Sequence, residues 1–115
     1  MRVIIAGSRT IRDFQVVSDA IKESGFEITE VVSGCAIGVD MNGETWASLN
    51  KIPVKKFKAN WKQYGKKAGV IRNTIMAQYA EALIAVWDGK SHGTKHMIDY
   101  AREIGLKIFL KEISR

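Results

Sequence analysis

A single domain built on an open, five-stranded parallel sheet, in three α/β/α layers, is the fold this sequence predicts. Three observations point to it. Short apolar runs alternate with stretches of helical periodicity along the 115 residues, and a parallel sheet requires such alternation because each parallel neighbour needs a crossover. The run from Ala82 to Trp87 is apolar without interruption, as a strand covered on both faces must be. Glycines and small polar residues collect directly after the first, second and fourth runs, where strands give way to helices and ligands bind in such sheets.

The elements follow in order. Val3 to Ala6 reads as a buried strand and Gly7-Ser8-Arg9 as its exit loop. Thr10 and Asp13 have capping-box spacing ahead of a helix that places Phe14, Val17, Ala20 and Ile21 on one face and stops at Gly25. Ile28 to Val32 is the second strand, followed by a glycine-containing turn, Ser33 to Asp40, and a helix ending near Asn50. Val54 to Phe57 is the third strand, and its Pro53, Lys55 and Lys56 suit a sheet edge. A loop from Lys58 to Lys67 leads to a helix striped by Ala68, Ile71, Ile75, Met76 and Tyr79. After the fourth strand, Asp88 to Gly93 form a polar loop. Thr94 opens a helix buried through Met97, Ile98, Ala101 and Ile104, and Gly105 ends it before a last strand from Lys107 to Leu110. Right-handed crossovers give the order 3-2-1-4-5, with a crevice between strands one and four. No linker or repeat divides residues 1–115, so one domain is expected.

Charge is unevenly placed. The net charge of +6 lies wholly between Lys51 and Arg72, which hold eight basic residues and no acid; the remainder sums to −2. That asymmetry predicts a phosphate-bearing partner, either small or polymeric. The stretch interleaves Phe57, Trp61 and Tyr64, a combination that also suits stacking of single-stranded nucleic acid. A single cysteine, Cys35, excludes an internal disulfide framework and fits a reducing compartment. No run has the length of a membrane span, and the N-terminus reads as a strand rather than a signal peptide. A cytoplasmic protein without a membrane partner is expected.

Candidate chemistry gathers in three loops: Gly7-Ser8-Arg9; Ser33-Gly34-x-x-x-Gly38-x-Asp40; and Asp88-Gly89-x-Ser91-x-Gly93-Thr94-Lys95. Glycine permits close backbone approach, and the hydroxyls can bond phosphate or ribose oxygens. The plainer reading is that these glycines make turns and that Asp40 and Thr94 cap helices. Arg72, beside Asn73, has the fork geometry for phosphate or carboxylate. Gly89-Lys90-Ser91 resembles the end of a phosphate loop, but the glycine required five residues earlier is Ile84, and no Gly-x-Gly-x-x-Gly occurs. His92 and His96 lack a third ligand, so neither metal nor resident cofactor is expected. Cys35, near a helix N-terminus, is a candidate nucleophile without a histidine partner.

Four ordered blocks carry a family resemblance that spans nearly the whole chain. They are Val3 to Arg9; Ser33 to Asp40 with Gly43-Glu44-x-Trp46-Ala47; Ala59-Asn60-Trp61-x-x-Tyr64-Gly65-Lys66-x-Ala68-Gly69-x-Ile71-Arg72-Asn73; and Trp87 to Lys95. Together they resemble the YspA-type branch of the SLOG superfamily, which includes the LOG phosphoribohydrolases and the DprA (Smf) proteins. The resemblance implies a Rossmann-like fold, a nucleotide-derived ligand at the C-terminal sheet edge, and a homo-oligomer. Set against LOG, Arg72 takes the position of the catalytic arginine and Gly93-Thr94 restores that family's glycine motif. Met97, however, stands where LOG has its catalytic glutamate, and Cys35 replaces a common glycine. Methionine can neither activate water nor stabilise a ribosyl cation, so hydrolysis would need a carboxylate from another loop, Glu44 or Asp88 being the candidates.

The leading expectation is therefore a module that binds a nucleotide or nucleotide-derived small molecule, as a sensor or sequestering protein. Phosphate would meet Gly34 to Asp40 and Gly93-Thr94, helped by Ser8, Arg9, Arg72 and Lys95. Base or ribose would lie near Trp61, Asp88 and Glu44. The alternatives are hydrolysis of a nucleotide through Glu44 or Asp88, and single-stranded nucleic-acid binding through Lys51 to Arg72.

Overall fold

Strands that are apolar on both sides need two covering layers, and alternate residues supply one core each. A computed structural model of the chain, describing residues 1–113, shows the arrangement. The strands β1 (Arg2–Gly7), β2 (Glu30–Ser33), β3 (Val54–Lys56), β4 (Ala82–Trp87) and β5 (Lys107–Glu112) form one parallel sheet in the order β3-β2-β1-β4-β5. The helices are α1 (Phe14–Ser24), α2 (Val39–Leu49), a single turn α3 (Trp61–Tyr64), α4 (Ala68–Tyr79) and α5 (His92–Glu103). The predicted fold class and strand order hold.

Val3 and Ile5 of β1 and Ile84 and Val86 of β4 face one core, closed by Val17, Ala20 and Ile21 of α1 and Val39 and Ala47 of α2. Ile4, Ala6, Leu83 and Ala85 face the other, closed by Met76 and Ala77 of α4 and Met97, Ile98 and Ala101 of α5. Ile4, Ile5, Leu83 and Ile84 are fully buried, each contributing about 1.5–3 kcal/mol of transfer free energy. At the crevice end, β1 and β4 approach so closely that a Cβ on Gly7 would lie 2.0 Å from the Val86 carbonyl oxygen.

Several local expectations are corrected. Asp13, not Thr10, caps α1, accepting from the Gln15 amide at 2.9 Å; the Thr10 hydroxyl is turned instead to Asp88. Strand β2 runs one residue further than expected and starts later, because Arg2 pairs with Glu30. Strand β5 extends to Glu112 along the full length of β4. The stretch expected to be a loop after β3 contains α3, capped by Asn60 through the Gln63 amide, and a 3-10 turn, Gly65–Lys67. Helix α5 begins at His92 with Ser91 as its cap, and Ile104, past its end, is exposed. The stripe expected on α4 is rotated: Ile75 is exposed, while Asn73, Met76, Ala77 and Ala80 face inward, at the i, i+3, i+4, i+7 positions of one face. A buried asparagine on that face outranks an isoleucine because it has partners at the crevice.

Candidate functional site

The C-terminal ends of β1, β2 and β4 deliver three loops to one edge of the sheet, and side chains stitch them together. The Ser8 hydroxyl accepts from the Asp88 amide at 3.0 Å, and Thr10 Oγ1 donates to Asp88 Oδ2 at 3.1 Å. Asp88 Oδ1 takes the amides of Lys90 and Ser91 at 2.8 and 2.9 Å. These donors hold the Asp88 carboxyl down to about 2, so it is a fixed negative charge and a weak proton acceptor. From α4, Arg72 donates Nη1 to the Gly34 carbonyl at 2.7 Å and Nε to Asn73 Oδ1 at 3.2 Å. Asn73 Nδ2 in turn donates to the Gly93 carbonyl at 3.2 Å and lies 3.3 Å from His96 Nδ1. Arg72 and Asn73 thus tie the loop after β2 to the segment after β4.

Two open crevices lie over this network. The first, about 450 Å³, sits between β1 and β4 and is lined by Gly7, Arg9, Asp40, Arg72, Asn73, Asp88, Ser91, Gly93 and Thr94, with Ala6, Thr10, Ala36, Met76, Lys90, His92 and Met97. The second, about 440 Å³, is lined by Arg9, Gly34, Cys35, Ala36, Ile37, Lys58, Ala59, Trp61 and Arg72. Both volumes fall within the usual range for small-molecule sites, about 300–1,000 Å³. Arg9, Ala36 and Arg72 line both crevices.

Asp40 is the most unusual group of the site. Burial pushes its carboxyl up to about 6, against the pull of the Ala36 amide, the Arg72 guanidinium and the Gly7 amide. Its Oδ2 accepts from the Ala36 amide at 3.3 Å, and α2 packs so tightly here that a Cβ on Gly38, at φ +83°, would fall 2.7 Å from the Ser8 carbonyl oxygen.

Other sequence candidates lie outside the crevice linings. Glu44 is turned to Ser33, whose hydroxyl donates to Oε2 at 2.6 Å, and pairs with Lys56 at 3.6 Å. Ser33 is fully buried. Gly89 abuts the Glu112 side chain, and Lys95 pairs with Asp99 at 2.7 Å. The amides of Ala36, Lys90, Ser91 and Thr94 donate to protein oxygens, so fewer loop N–H groups face a ligand than the glycine pattern suggests. Cys35, the candidate nucleophile, is poorly placed for that role: burial first, then Glu44, raises its thiol. Sequence reasoning missed Thr10, Lys58, Lys90 and His92 as lining residues; only their adjacency to strand ends could have marked them. Met97, singled out by its departure from the LOG pattern, is 1% exposed and lies with Met76 in the first crevice's lining.

Cys35 also carries backbone strain. It adopts φ +64°, where an L-residue costs roughly 1–2 kcal/mol. Cys35→Gly should relieve that strain against a loss of about 0.4–1 kcal/mol through the freer unfolded chain. The expected result in urea unfolding is a stability equal to wild type or up to about 1 kcal/mol higher, whereas Cys35→Val should unfold earlier. A clear loss in the glycine variant would show that the thiol packing outweighs the strain.

Comparison with known proteins agrees with this architecture. The YspA, cpYpsA-related SLOG family matches residues 1–64, from β1 through α3. The chain belongs to this SLOG family. The Gene 61 protein of Mycobacterium phage D29 is 35% identical over 118 residues, an alignment covering 93% of each chain. DNA processing protein A (DprA) from Streptococcus pneumoniae superposes with a TM-score of 0.78 at 19% identity. The superposition covers 95% of this SLOG chain but 49% of that one, so this chain spans about half the length of that solved relative. At that identity the likeness is one of fold. Within the SLOG chain, the matched segment supplies the first two loops, while Arg72, Asn73 and the Asp88–Thr94 loop lie beyond it. Among the described residues, no helix is long and apolar enough to cross a membrane.

Proposed function

We propose that the crevice at the C-terminal edge of the sheet binds a nucleotide or nucleotide-derived small molecule, and that the protein acts as a sensor or sequestering module. The observation that carries this reading is the placement of Arg9 and Arg72 where the two crevices meet. Arg72 commits two N–H groups to Gly34 and Asn73 among the described residues; the rest of its fork can engage an anion, and Arg9 has no acidic partner there. Guanidinium groups held in this way recognise phosphate bidentately. Trp61, 53% exposed at the second crevice, offers a face for a base. Hydrolysis is less well served, because Asp88 is committed to its loop, Glu44 to Ser33 and Lys56, and Met97 brings no carboxylate. Titration calorimetry of the full chain against nucleoside mono-, di- and triphosphates and cyclic nucleotides tests the proposal. Saturable binding by one of them is expected; no heat with the whole set would overturn it.

A second reading is favoured by one feature. Tyr64, 43% exposed, accompanies Trp61 on a short helix among exposed lysines, which suits stacking along a single strand. It predicts an affinity that climbs with oligonucleotide length and falls steeply with salt.

A further inference from the structure

We propose that His96 positions the Arg72 guanidinium through Asn73, and does so only as the neutral imidazole, so that acid loosens the anion-binding fork. The inference rests on the nucleotide-binding reading above and adds a regulation of that site. His96 lines neither crevice. It sits half-buried on α5, behind Asn73.

Donors and acceptors leave one arrangement. Arg72 Nε can only donate, so the Asn73 atom 3.2 Å from it is the carbonyl oxygen Oδ1. The Gly93 carbonyl can only accept, so it takes one hydrogen of Asn73 Nδ2, at 3.2 Å. The second Nδ2 hydrogen meets His96 Nδ1 at 3.3 Å. Asn73 is buried, which keeps water from replacing these partners. Nδ1 must therefore accept, and the single proton of the ring belongs on Nε2. The ring plane is held as well. Tyr100 stacks on it, with 6.2 Å between centroids and 10° between planes, and Gln78 Nε2 donates to the Tyr100 hydroxyl at 3.0 Å. A proton added to Nδ1 sets an N–H against an N–H. Relief requires Asn73 to turn, and turning releases Arg72 Nε, one of the two contacts that aim the fork.

Imidazole is the side chain whose ordinary change of charge falls between about pH 5 and 8. The titratable groups around His96 are His92, Lys95, Asp99 and Tyr100 on its own helix and, through Asn73, Arg72 on α4; the strand residues packed beneath α5 are apolar. Asp40 faces Arg72 from α2 with its carboxyl pushed up to about 6. An acid response must therefore be compared between wild type and a His96 variant in which Asp40 is untouched.

The chain has two histidines, so NMR of the imidazole nitrogens in the full chain reads His96 directly. At pH 7.5 the expected ring carries its proton on Nε2 and leaves Nδ1 bare; a proton on Nδ1 would overturn the proposal. On acidification to pH 5.5, the Arg72 Nε–H signal should move further in wild type than in His96→Asn, whose Oδ1 stands where Nδ1 stood and takes up no proton. An equal response in both would assign it to Asp40 and overturn the relay. Sulfate, whose charge is constant over this range, probes the fork itself. His96→Phe keeps the stack on Tyr100 without an acceptor, and should weaken sulfate about 10-fold at pH 7.5, the cost of one buried donor left unmatched. His96→Asn loses the stack, keeps the acceptor and should stay within about 2-fold of wild type. Far-ultraviolet circular dichroism establishes that both variants are folded. Sulfate bound by His96→Phe as tightly as by His96→Asn, or more tightly, would mean that the ring is kept for packing alone. Sulfate bound by none of the proteins, with the imidazole and Arg72 signals as expected, would count against the anion site and the nucleotide reading while the Asn73 relay stands.

Discussion

Arg72→Ala is expected to abolish measurable nucleotide binding at micromolar protein and to lower stability at the same time. Among the described residues, the guanidinium is the only side chain that both closes the network and lines both crevices from α4. A lost charged hydrogen bond is worth about 1.5–3 kcal/mol, or roughly 10- to 150-fold in affinity. In the folded protein the same truncation strands the Gly34 carbonyl and Asn73 Oδ1 and leaves the buried Asp40 carboxylate without its cation, for about 1–3 kcal/mol. Arg72→Lys should restore charge but neither the two protein contacts nor the fork, and so recover only part of the affinity. Calorimetry and urea unfolding read the two losses separately. Wild-type affinity in Arg72→Ala would show that the anion sits elsewhere.

Asp40→Asn is expected to stabilise the protein at neutral pH while weakening ligand binding. Burial lifts the Asp40 carboxyl from 3.8 to about 6 in the folded protein. The raised value sets the sign: stability from this group is complete below pH 3.8 and is lost as pH rises through about 6. Above that, the buried charge is a constant penalty of about 3 kcal/mol at most. Asparagine still accepts from the Ala36 amide and carries no charge at any pH. The difference between the two proteins in urea unfolding should therefore open between pH 4 and 6, with Asp40→Asn ahead by about 2–3 kcal/mol at pH 7.5. Asp88 works in the opposite direction, its lowered carboxyl losing stability only as pH falls toward about 2, so the comparison must be between the two proteins and not along one curve. A flat difference would mean that water reaches Asp40 and leaves it charged at little cost. A gain in stability that accompanies a loss of function is the pattern of a group kept for its chemistry.

The charge surplus between Lys51 and Arg72 divides in the same physical terms. Lys56 pairs with Glu44, and Lys55 lies over the Phe57 ring. Only Lys58, Trp61 and Arg72 of the named basic and aromatic residues reach a crevice. Net charge in a segment reports an anionic partner without saying which of its side chains meets it, because a helix turn or a strand edge sends neighbours in different directions.

Much of the architecture was legible in the sequence for reasons local to it. Periodicity alone separated strands from helices. The unbroken run of Ala82 to Trp87 required two covering layers, and the glycines at positions 7, 34 and 38 marked the sheet edge where the loops meet. Four blocks of residues marked the SLOG family before any contact was known. Tertiary structure decided the rest, since it depends on which groups are brought together across the chain. It turned α4 so that Asn73 is buried and Ile75 exposed, because Asn73 finds the Gly93 carbonyl on the far side of the crevice. It bound Asp88 into its own loop and Glu44 to Ser33, leaving neither as a free base. It made Asp40 a costly buried carboxylate beside Arg72, thirty-two positions away in sequence. Sequence spacing prescribes hydrophobic faces and turns; the partners of a polar group are chosen by the fold, where an unmatched one is too expensive to leave buried.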